Sequence, residues 1–79
     1  MEPGSTDAPE RDEGRALHLR RMADRVAAMI VTSTYSDLDC ALAEREVRME
    51  CLRLLPEKMG LYDLIYAARF RRLREQFRA

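Results

Sequence analysis

An all-α fold is what this chain of 79 residues predicts: a small three-helix bundle behind a disordered acidic amino-terminal arm. Three observations carry that reading. Apolar residues recur at helical spacing in three stretches, near residues 14–32, 37–55 and 61–77. Beyond Gly14 the only glycine and proline are Gly60 and Pro56, while Ala, Leu, Arg, Glu and Met dominate. Residues that favour strands are few and gather between Val26 and Thr34.

The arm covers residues 1–13. Pro3, Gly4, Ser5, Thr6 and Pro9 alternate with acids and offer almost nothing to bury. It reads as a solubilising tail; folding over the basic carboxyl-terminal helix is the lesser alternative. The remaining residues, 14–79, form one domain. A core built from so few residues is marginal alone and commonly leans on a metal, a disulfide or association.

The first helix is expected over 14–32. Leu19, Met22, Ala23, Val26, Met29 and Ile30 make one apolar face, with Arg20, Arg21 and Asp24 turned outwards. The lone histidine, His18, sits at the edge of that face and reads as half-buried and structural, since no metal-ligating companion stands at suitable spacing beside it. The hydroxylated run Thr32-Ser33-Thr34-Tyr35-Ser36 ends the helix.

Ser36 is placed to cap the second helix, 37–55, with Asp39 in the capping-box position. Aspartate is shorter than the glutamate or glutamine that the box prefers, so the return bond is not expected. This second helix has two apolar sides. Cys40, Ala43, Val47, Cys51 and Leu54 form one; Leu38, Leu42, Met49 and Leu52, interrupted by Arg45, form nearly the opposite one. A surface helix ordinarily shows one apolar stripe. Cores avoid unpaired arginine, whereas interfaces are enriched in arginine and methionine. The cysteine side is therefore expected inside, and Leu38, Leu42, Arg45, Met49 and Leu52 at an interface between chains.

Pro56 stops the second helix. Gly60 either ends a short connector turn or lies inside the third helix. That helix, 61–77, again has two sides: Leu61, Leu64, Ile65 and Ala68 on one, Tyr62, Tyr66, Phe70, Leu73 and Phe77 on the other.

Charge excludes a generic polyanion binder, for 14 basic residues balance 14 acidic ones. The distribution is uneven, however. Arg69, Arg71, Arg72, Arg74 and Arg78 crowd the carboxyl-terminal helix among aromatics, a pattern suited to phosphate contact and base stacking. Arginines near a helix carboxyl terminus also complement its dipole, and that structural role is the expected one; an anion or nucleic-acid contact is the alternative. A helix-turn-helix reading of the last two helices fits poorly, because Asp63 would face phosphates. With Lys58 the only lysine, the Arg- and Ala-rich composition points to a GC-rich, bacterial source.

Cys40 and Cys51 lie about 16 Å apart along one helix, beyond the roughly 7 Å that a disulfide spans. They read as small buried hydrophobes of a reducing cytoplasm. No signal segment is visible, and the apolar run Ala27–Val31 is far short of a membrane span. No phosphate loop, zinc motif or acid pair on an apolar cleft stands out, so neither a catalytic site nor a cofactor or metal is expected. The function these features predict is a cytoplasmic helical protein–protein interaction module that forms homo-oligomers or packs on a helical partner. A nucleic-acid-binding regulator is the alternative.

Overall fold

The computed structural model describes the backbone of residues 3–78 and the side chains of residues 12–78. It is helical, with no strand among the described residues. Helix α1 spans Pro3–Val31 and α2 spans Asp37–Leu54. A 3₁₀ turn, Pro56–Lys58, leads into α3, which runs unbroken through Met59–Tyr62, Asp63–Ala67 and Ala68–Phe77. The acidic arm expected over residues 1–13 falls, up to residue 11, outside the described side chains; Asp12 and Glu13 are helical and exposed. No helix among the described residues is long and apolar enough to cross a membrane.

Local chemistry sets each boundary. Ser36 caps α2 by accepting from the Asp39 amide at 3.0 Å, and the Asp39 carboxylate returns the bond to the Ser36 amide at 3.2 Å. The capping box is therefore complete, a correction to the expectation that aspartate is too short to close it. At the other end the Leu55 amide donates to the Cys51 carbonyl at 2.7 Å before Pro56 turns the chain. Gly60 lies inside α3, which starts at Met59 and not at Leu61.

The middle of α3 holds a feature that periodicity did not predict. Asp63–Ala67 is π-helical, and the Ala68 amide reaches back to the Asp63 carbonyl. Tyr62 and Phe70 are eight positions apart, which in a regular α-helix leaves them about 80° out of line. The wider π turn takes up that excess. Both rings consequently face the core, 3% and 1% exposed.

The core is one cluster drawn from all three helices. Leu19, Ala23, Val26 and Ile30 come from α1, Cys40, Val47 and Cys51 from α2, and Tyr62 and Phe70 from α3, with Leu55 closing the connector end. Ala23 and Ala27 on α1 are buried small residues, which let neighbouring backbones approach. Met22, Met29, Tyr66 and Leu73 pack at the margin of the cluster.

Arg78 fastens the far end. Its guanidinium donates to the carbonyls of Met29 (3.1 Å), Ile30 (2.8 Å) and Thr32 (2.7 Å) and to the carboxylate of Asp37 (2.8 Å). The carbonyls at the end of an α-helix have no partner within it. Here Arg78, just past the end of α3, supplies donors to α1 and ties them to the start of α2.

Candidate interaction surface

Helix α2 is built with its back to the core. Cys40, Val47 and Cys51 are buried, and Ala43 and Leu54 are partly buried, so the cysteine side is the internal one. The opposite side carries Leu38 (67% exposed), Leu42 (50%), Met49 (52%) and Leu52 (45%), with Arg45 also exposed among them. These positions follow one another at intervals of four, three, four and three. That is the heptad spacing of a coiled-coil seam. The direction follows from helical geometry: Arg45 and Val47 differ by two residues, or about 200° around the axis. Burying Val47 therefore turns Arg45 and its neighbours to solvent.

Helices α1 and α3 flank α2 without covering this seam. On the α1 side, His18 Nε2 meets Glu50 Oε2 at 2.9 Å. On the α3 side, the Tyr62 hydroxyl donates to the Glu44 carbonyl at 3.4 Å and Arg48 lies 3.8 Å from Asp63. Between α1 and the seam runs a shallow groove lined by the apolar Met22, Leu42 and Met49 and by the charged Arg25, Arg45 and Glu46. It continues along Met29 to Tyr35. The sequence pattern identified the seam; the groove depends on how α1 and α2 register, which no single stripe reveals. A second exposed apolar set, Leu61 (52%), Leu64 (74%) and Ile65 (54%), lies on α3.

The five arginines singled out on α3 do not converge on one site. Arg69 pairs with Asp24 at 3.1 Å, Arg74 with Glu44, and Arg78 is spent on α1 and Asp37. Arg71 and Arg72 are exposed and have no acidic partner among the described residues. Of the five, these two are the ones presented to solvent without an ion pair among the described residues. Glu44 holds Arg74 through Oε1, while its buried Oε2 has no hydrogen-bond partner among the described residues.

The side chain of His18 is 50% exposed, the half-buried position expected of it. It shares Glu50 with Arg53, which donates through Nε and Nη2 at 2.9 Å each. These bonds, that from Arg53 foremost and that from His18 next, pull the Glu50 carboxyl down to about 2. Sequence spacing missed this network because His18 and Glu50 stand on different helices. Among the described residues no group of three His, Cys, Asp or Glu side chains is placed to hold a metal ion.

Cys40 and Cys51 are free thiols, both buried. Burial pushes the pKa of each above the ordinary thiol value, which keeps them protonated and poorly nucleophilic. Burial, with Glu44 nearby, likewise drives the Tyr62 phenol up to about 12. The interior is thus a neutral packed core and the surface carries the charge.

Comparison with family models, with curated proteins and with solved structures finds no match for this chain.

Proposed function

We propose that this protein is a helical protein–protein interaction module that associates with itself through the outward seam of α2. One observation carries the reading: a heptad-spaced apolar stripe, Leu38, Leu42, Met49 and Leu52, stands fully opposite the residues that α2 buries. Fully burying one such side chain is worth roughly 1.5–3 kcal/mol. Each is about half exposed in the single chain, so the seam leaves several kcal/mol of burial available to an associating surface. Methionine and arginine within the stripe match the composition of interface centres.

The nucleic-acid reading has less behind it, because Arg69, Arg74 and Arg78 are engaged within the chain and Arg71 and Arg72 alone make a small patch. It expects retention on heparin and steep salt dependence.

The test is the solution mass of the purified chain by sedimentation, for the wild type and for Leu42→Glu. Because Leu42 lies outside the core, the variant should keep its helical signal and lose the associated species. A wild type that stays monomeric at millimolar concentration would overturn the reading.

A further inference from the structure

The seam is charged in a way that selects both its occupant and that occupant's direction. This inference rests on the self-association reading above and goes on to its geometry. Along the seam, the midpoint of the Leu42–Met49 pair falls between Arg45 and Glu46, and the Leu38–Leu52 and Asp39–Arg53 pairs centre within half a residue of the same point. A two-fold axis running between two facing helices, perpendicular to both, brings together residues equidistant from it along the two chains. Placed between Arg45 and Glu46, such an axis sets Leu42 against Met49 of the partner subunit and Leu38 against Leu52 of the partner subunit. It also sets Asp39 against Arg53 of the partner subunit, twice, while at the axis two arginines and two glutamates, from positions 45 and 46 of both copies, come together as one balanced cluster.

All four charged groups are exposed and available. Asp39, Glu46 and Arg53 lie on one flank of the stripe, within about 40° of one another around the axis. Arg53 holds Glu50 through Nε and Nη2, leaving Nη1 open, and Asp39 uses Oδ2 for its cap, leaving Oδ1 open. Flanking charges of this kind set orientation in coiled coils. A parallel pair would lack the Asp39–Arg53 complementarity: flanks of opposite side would face each other, and Arg48 and Arg53 would approach.

We propose that a second copy of this chain docks antiparallel on the first, α2 against α2, about a two-fold axis between Arg45 and Glu46. From Leu38 to Leu52 the contact runs about 21 Å.

Disulfide trapping tests the direction, and sedimentation tests association separately. Leu38→Cys and Leu52→Cys chains, each on an exposed site that the core does not need, are oxidised alone and as a mixture, with the wild type as blank for Cys40 and Cys51. The antiparallel dimer gives a cross-link in the mixture and little in either variant alone, since a disulfide requires Cα atoms within about 7 Å. A wild type that sediments as a dimer while each variant links to its own kind would overturn the antiparallel arrangement and leave self-association standing. A dimer that links in no combination would remove the seam as the contact. A charge reversal supplies the second measurement: Arg53→Glu should weaken the dimer by facing Asp39 of the partner subunit, and added salt should narrow the difference from the wild type. An Arg53→Glu dimer as tight as the wild type would equally overturn the arrangement.

Discussion

The guanidinium of Arg78 donates through Nε to the carbonyl of Ile30 at 2.8 Å, joining the carboxyl-terminal end of the chain to the end of α1. Ile30 is itself 1% exposed, so this carbonyl sits where water has little access. Removing Arg78 strands it together with that of Thr32, while that of Met29 keeps only the Thr32 amide at 3.3 Å. Orphaned buried acceptors cost more than the bond itself is worth. Arg78→Ala should destabilise the fold by about 1.5–3 kcal/mol, the range for hydrogen bonds to a charged group. Arg78→Lys should recover only part, because a point charge cannot reproduce the fork. Urea denaturation followed by circular dichroism measures both; an unchanged midpoint for Arg78→Ala would contradict the role.

Glu50 predicts an acid limb of stability with a definite sign. Its carboxyl is lowered in the folded chain to about 2 from an ordinary value of 4.5, chiefly by the Arg53 hydrogen bonds. A depressed acid stabilises the fold above its unfolded value and loses that contribution as pH falls through the folded one. The contribution is therefore complete above pH 4.5 and gone near pH 2. Glu50→Gln should be less stable than the wild type at neutral pH, with the difference shrinking through that window. Added salt should reduce it at neutral pH, since the network is at the surface. Denaturant midpoints measured against pH for both chains give the answer.

The contrast between the two sides of α2 predicts opposite responses to the same substitution. Val47→Asp places an unpaired carboxylate among residues of the core cluster and should unfold the chain. Leu42→Asp changes an exposed position and should leave the helical signal of the single chain nearly intact. Phe70→Ala, at a fully buried ring, should cost about 3–5 kcal/mol. Thermal melts at low concentration, where any association is minimal, separate these cases.

Cys40 and Cys51 give a readout of the core itself. Burial both raises their pKa and shields them. Reaction with a thiol reagent at neutral pH should be slow in the native chain and rapid in urea. Fast native labelling would mean that the interior opens far more often than its packing implies.

What was legible in the sequence was whatever repeats along one helix. The two sides of α2 could be told apart because Cys40, Val47 and Cys51 recur at helical spacing with no charge among them. Pro56 and Ser36 marked boundaries through local backbone chemistry alone. What depends on two helices meeting was not legible. His18 with Glu50, Arg74 with Glu44, and Arg78 with Ile30 are each contacts across at least 30 positions, and no spacing rule specifies them. The doubt over the return bond of the capping box failed for a local reason: the shorter Asp39 side chain still reaches the Ser36 amide when the backbone at Ser36 is extended, as it is here.

The π turn supplies the sharpest structural prediction. It accommodates one residue more than a regular helix needs between Tyr62 and Phe70. Leu64 lies within it and is 74% exposed, so nothing in the core depends on its side chain. Deleting Leu64 leaves Tyr62 and Phe70 seven positions apart, within about 20° of alignment in an ordinary α-helix. The shortened chain should fold cooperatively with its core intact. Deleting Met49, also exposed but within the regular α2, removes a residue from a helix with no such slack. Cys51 and Leu54 would then rotate by about 100° relative to Cys40 and Val47, and the chain should not fold. Circular dichroism melts of the two deletions decide the matter: equal loss of structure in both would mean that the π turn does not set the register of the two rings.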